Sequence, residues 1–92
     1  GMPREQIRVM ATQGESKGDV MVAMMKNKIM PNGKSNINRI EYYEDSEKNI
    51  DDVKAKVCDA NQIEEIKPDD FELIINKVVS FEAGYKIETI TC

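Results

Sequence analysis

The chain has no histidine and no tryptophan, and the missing histidine excludes more chemistry than any residue present suggests. Histidine is the commonest general base near neutral pH and the commonest transition-metal ligand. Without it, Ser-His-Asp hydrolysis and His-containing zinc sites are ruled out. An enzyme built on this chain would have to use carboxylates, lysines, tyrosine hydroxyls or a thiol. Long apolar runs are missing as well. The longest, residues 20–25, falls far below the ~20 residues a membrane-spanning helix needs, so no membrane partner is expected. The first residues, Gly1-Met2-Pro3, lack the apolar stretch of a secretion signal. Gly1 ahead of Met2 reads as a tag-cleavage scar, and Met2 as a native start, which points to the cytoplasm.

Cysteine is scarce. Cys58 and Cys92 are the only two, at a spacing that matches no zinc or redox motif. Cys58 lies in an expected helix and reads as a small buried apolar residue. Cys92, the last residue, reads as an exposed thiol able to crosslink two chains under oxidising conditions. No cofactor and no metal is called for.

What the chain does have is an uneven distribution of charge. Up to Ile40 there are seven bases against three acids, and from Glu41 onward fourteen acids against six bases, within a total of −4. A basic half joined to an acidic half can fold face to face, pair with a copy of itself, or offer two differently charged surfaces to partners. With 92 residues, 40% apolar and 33% charged, a single domain spanning 1–92 is expected, because two would leave each too small to bury a core.

Along the chain, residues 6–12 alternate Ile7, Val9, Ala11 with Arg8, Met10, Thr12, the pattern of a strand with one buried face. Residues 14–18 break it with two glycines and small polar residues, as a turn does. Residues 19–30 are apolar without a clear period. Met, Ala and Lys favour helix there, with Asp19 as cap. The competing reading pairs strands 19–29 and 37–43 around Pro31-Asn32-Gly33. Residues 37–43 read as a strand with Ile40 and Tyr42 on one face. Ser46 reads as an N-cap for a helix whose stripe is Ile50, Val53, Val57 and Ala60, stopping at Asn61. Residues 62–66 are a short strand or the end of that helix. Pro68, then Asp69 and Asp70, then Phe71, Ile74, Ile75, Val78 and Val79 predict a helix running toward Gly84, and residues 85–92 a final strand. The expectation is an α+β two-layer sandwich: a sheet of three or four strands with two or three helices on one face. A ferredoxin-like arrangement with an extra helix is the nearest such architecture.

Three constellations bear on function. Residues 14–19 join a strand to a helix, where backbone amides can meet a phosphate. The Gly-Lys-Ser/Thr ending is missing, however, and Glu15 and Asp19 would repel an anion. The doublets Asp51-Asp52, Glu64-Glu65 and Asp69-Asp70 resemble cation ligands, yet neighbours on a helix point about a hundred degrees apart, so they read as solvated charge. Lys26, Lys28, Lys34 and Arg39 crowd one loop region, beside Met24 and Met25. Flexible thioethers flanked by lysines suit an adaptable protein-binding surface, and equally an irregular core.

These readings favour a non-enzymatic protein-interaction or regulatory module of bacterial type. It would associate with itself or with another protein through the Lys/Met-rich first half. The alternative is a nucleic-acid-binding accessory protein using Lys26, Lys28, Lys34 and Arg39, with Tyr42 or Tyr43 stacking on a base. The acidic pI near 4.8 opposes it. A small enzyme using a thiol or carboxylates is a second alternative.

Overall fold

The computed structural model describes residues 4–10, 15–59 and 63–91. Strand β1 (Glu5–Met10) is followed by helix α1 (Lys17–Lys26) and strand β2 (Ile37–Glu44). Helix α2 (Glu47–Val53) continues into a wider π-helical segment, Lys54–Cys58, before strands β3 (Glu72–Phe81) and β4 (Gly84–Thr91). The four strands form one sheet in sequence order, with β1, β2 and β3 parallel and β4 antiparallel to β3.

Local chemistry explains the helices. Ser16, and not Asp19 as expected, caps α1 by accepting the Asp19 amide at 3.2 Å, which leaves Asp19 in the first turn, and Ser46 caps α2 by accepting the Asn49 amide. On α1 the buried positions are Lys17, Gly18, Met21, Val22 and Met25, the spacing of a helix face turned to a core. Helix therefore prevails over the paired-strand reading of residues 19–30. Only a single bridge, Ile29 to Ser35, spans the Pro31-Asn32-Gly33 loop. Gly33 holds φ +84° there, a conformation that side chains with a Cβ rarely adopt.

Strands and helices contribute to a single core. Val9, Ile40, Tyr42, Leu73 and Ile75 from the strands meet Met21, Val22, Met25, Ile50, Val53 and Val57 in one apolar cluster. Gly18 lets α1 approach closely, because a Cβ there would lie 2.8 Å from Lys56 Cβ and 3.1 Å from the Asp52 carbonyl.

Three expectations are corrected. Residues 72–81, read as a helix, are strand β3. The apolar positions fit a helical period, but Leu73, Ile74 and Ile75 are consecutive and all buried, Leu73 and Ile75 in the core cluster and Ile74 on the opposite face of the strand. β-Branched Ile74, Ile75, Val78 and Val79 favour that state. Pro68 is not a first helical residue. It starts a turn in which Phe71 donates to the Pro68 carbonyl at 3.0 Å. Within 62–66 the described residues form a helical turn, with Lys67 donating to the Ile63 carbonyl at 2.7 Å, not a strand. The order β-α-β-α-β-β also differs from the β-α-β-β-α-β of a ferredoxin-like fold. The readings at Ala11, Thr12, Ala60, Asn61 and Cys92 lie outside the described residues.

Candidate interaction surface

The residues singled out in the first half do not form one surface. Met25 is fully buried, 0% exposed, and belongs to the core, with Met24 half-buried against it. This corrects their placement on a binding face; in these positions the thioethers fill the gap between α1 and the sheet. Lys26 is exposed at the end of α1. Lys28 lies 3.5 Å from Glu5. Lys34 donates to the Glu65 carbonyl at 3.0 Å, tying the loop before β2 to the segment before β3. Arg39 stands on the other side of the sheet, in a hollow lined by Gln6, Ile7, Arg8 and Glu41. Tyr42 is buried, so of the two tyrosines only Tyr43 is placed to meet a partner.

A polar cluster joins the start of α1 to the end of α2 and the segment after it. Ser16 Oγ donates to Asp52 at 2.6 Å and accepts Lys56 Nζ at 2.9 Å, while Lys56 also pairs with Asp19 at 3.1 Å. The Ser16 hydrogen bond is the main cause of a lowered Asp52 pKa, and Asp19 followed by Asp52 raises that of Lys56. These groups answer one another and pin α1 to α2. Beside them Glu44 is buried and accepts from Asn49 at 2.6 Å. Burial, then the Glu44 carboxylate, raises the Tyr42 phenol above its ordinary value. Among the described residues no group of three or more acidic or sulfur side chains is arranged to hold a metal ion.

Cys58 lines a 380 Å³ hollow with Lys34, Lys67, Glu64 and Phe71, the cationic setting that activates a thiolate. It is nevertheless disulfide-bonded and half-buried, and no cysteine among the described residues is free. No helix among those residues is long and apolar enough to cross a membrane.

The surface that period-2 alternation builds is the sheet face away from the core cluster. Gln6, Arg8 and Met10 of β1 lie beside Arg39, Glu41 and Tyr43 of β2, and Asn76 and Val78 of β3 beside Thr89 and Ile87 of β4. Arg8 sits 5.7 Å from the Tyr43 ring centre and 3.8 Å from Glu41, and Tyr43 donates to Glu41. That hydrogen bond is the first cause of a raised Tyr43 pKa. Toward the C-terminal end of β2, Met10, Tyr43 and Val78 line one hollow together with Glu44 and Asp45. Met10 is 57% exposed, Ile87 42% and Tyr85 68%.

Beyond Lys77, β3 has no partner in β2, because the register ends at Glu44–Lys77. Val78 to Phe81 and the strand returning from Gly84 project as a two-stranded hairpin with Phe81 53% exposed at its tip. Sequence reasoning missed this surface because residues 72–81 read as helix. The alternation of Tyr85, Ile87 and Thr89 was its available signal. No protein family matches the chain, and no curated protein or solved structure matches it.

Proposed function

We propose that this protein is a non-enzymatic interaction or regulatory module that binds a protein chain, in the first instance a second copy of itself, through the uncovered sheet face and its hairpin. One observation carries the reading: Met10, Tyr85 and Ile87 stay exposed on the sheet face away from the core cluster of the described residues. Sheets with parallel strands usually have both faces covered, and apolar side chains gathered on one exposed face mark interaction surfaces. The surface draws on the first half through Arg8, Met10 and Arg39, while the methionines of α1 support it from within. Mass measured by light scattering against concentration tests the reading. The wild type should exceed monomer mass. Met10→Asp should weaken association about tenfold with little change in melting temperature. A wild type that stays monomeric throughout overturns self-association.

A second reading, nucleic-acid binding, draws support from Arg8, Arg39 and Tyr43 lying together on this face, since sheet aromatics can stack on bases. Glu41 engages both Arg8 and Tyr43, however. Single-stranded RNA titrated at low salt should therefore leave fluorescence anisotropy unchanged, and salt-sensitive binding would favour this second reading. As to compartment, the Cys58 disulfide supports an oxidising one over the cytoplasm expected from the sequence. Alkylation of the natural protein before and after reduction reads this directly.

A further inference from the structure

Strand β4 is an edge with few of the usual protections. It has eight residues, no proline and no register irregularity against β3, whereas natural edges are commonly shortened or bulged to stop pairing. Its charges, Lys86 and Glu88, pair with each other at 3.3 Å. At the opposite edge, β1 is two residues shorter and carries a register shift between Glu5 and Gln6.

The hydrogen-bonding phase of β4 follows from its turn. Phe81 and Gly84 pair across the two-residue loop Glu82-Ala83, and such a closing pair exchanges both backbone hydrogen bonds. Alternation then directs the backbone groups of Lys86, Glu88 and Ile90 toward β3. Those of Tyr85, Ile87 and Thr89 face outward, with no strand of the described residues beside them.

The geometry points to β4 as a symmetric dimerisation strand that pairs antiparallel with β4 of a second copy in the register centred on Ile87. This deepens the self-association reading above and rests on it. In that register Ile87 meets its own copy as a hydrogen-bonded pair, and Tyr85 meets Thr89 of the other chain twice. Lys86 falls opposite Glu88 of the other chain, also twice, in the non-hydrogen-bonded positions where side chains approach most closely. Centring on Lys86 would oppose lysine to lysine, and centring on Glu88 glutamate to glutamate. The Ile87 register is thus the charge-complementary one, and it uses the outward-facing amides. It also aligns Val78, Ile87 and their copies in a continuous apolar row, since Val78 pairs with Ile87 within each chain. The projecting hairpin gains the third strand that a lone hairpin needs for stability in water.

A charge-reversal cycle tests the register. Lys86→Glu alone sets four glutamates around the axis and Glu88→Lys alone four lysines. Each should weaken the dimer about tenfold or more. The double variant Lys86→Glu with Glu88→Lys restores complementarity and should recover wild-type association, as should an equimolar mixture of the two single variants. Circular dichroism confirms that each variant is folded, and Thr89→Pro, which removes an outward amide not used by β3, should also dissociate the dimer. Hydrogen exchange provides a second readout, in which the amides of Tyr85, Ile87 and Thr89 slow as concentration rises. A dimer insensitive to the charge cycle but broken by Met10→Asp overturns the register and leaves the interaction reading in place. A wild type monomeric at every concentration overturns both.

Discussion

The helix-covered body and the projecting hairpin belong to the same sheet but obey opposite rules. In the body, β2 and β3 place Ile40, Tyr42, Leu73 and Ile75 under α1 and α2, all fully buried, and polar groups such as Ser16, Asp52 and Lys56 answer one another. In the hairpin, residues 79–89 are mostly exposed although they include Val79, Phe81, Tyr85 and Ile87. The first region spends its apolar residues on its own folding, whereas the second holds them where they cannot contribute to it. The chain is correspondingly long for its size, extending 50 Å along one axis and 22 and 20 Å along the others.

The widest contrast comes from two isoleucines. Ile75→Ala opens a cavity under the helices and should lower folding stability by about 2–5 kcal/mol, read by urea denaturation of dilute protein. Ile87→Ala under the same conditions should cost less than about 0.5 kcal/mol and show its effect only on association. Equal losses would mean that the hairpin is part of the folding core.

Smaller effects should come from the helix layer. Gly18→Ala drives a methyl group against Lys56 Cβ and the Asp52 carbonyl, and overpacking of this kind costs about 1–3 kcal/mol. A thermal melt that leaves the variant unchanged would show that the helices separate freely. Gly84 makes the useful control, because a Cβ there meets open space, although φ +144° makes any such substitution strained.

The least effect concerns pH. Asp52 has a folded-state pKa below its ordinary value, chiefly through the Ser16 hydrogen bond. The unfolded chain therefore takes up the proton first, and the stability this carboxylate contributes is present above the ordinary carboxylate value. It is lost as pH falls through the lower folded value. With no histidine in the chain, no side chain with an ordinary pKa titrates between about pH 5.5 and 7.5. Stability should be flat there and fall on acidification below about 4. Asp52→Asn should make that acid limb shallower in denaturation midpoints measured across pH, and an unchanged limb would remove Asp52 from its causes.

Much of the body was legible before any coordinates. Period-2 alternation marked Ile7 and Val9 as inward, the pair Ile40 and Tyr42 declared its shared face, and Ser46 with Ile50, Val53 and Val57 announced α2. The failure at residues 72–81 has a definite cause. A strand with apolar residues on both faces loses alternation, and its apolar positions then satisfy a helical period by accident. Pro68-Asp69-Asp70 reinforced the error, because proline followed by acids serves a helix start and a turn equally well. The candidate surface depended on the same stretch: with β3 read as a helix, β4 had no neighbour, and Tyr85, Ile87 and Thr89 had no sheet face to share.

The sequence by itself determined which residues need burial, that Ser46 caps α2, and that no residue of this sequence supplies an imidazole. These follow from side-chain type and spacing over a few residues, which act locally. Tertiary structure alone decided that β1, β2 and β3 run parallel, that Met25 fills the core while Arg39 faces away from it, and that β3 outruns β2. Those outcomes depend on which distant segments lie side by side. That choice is made by the summed burial of residues far apart in the chain, such as Ile40 between Ile7 and Leu73, and no local pattern encodes it.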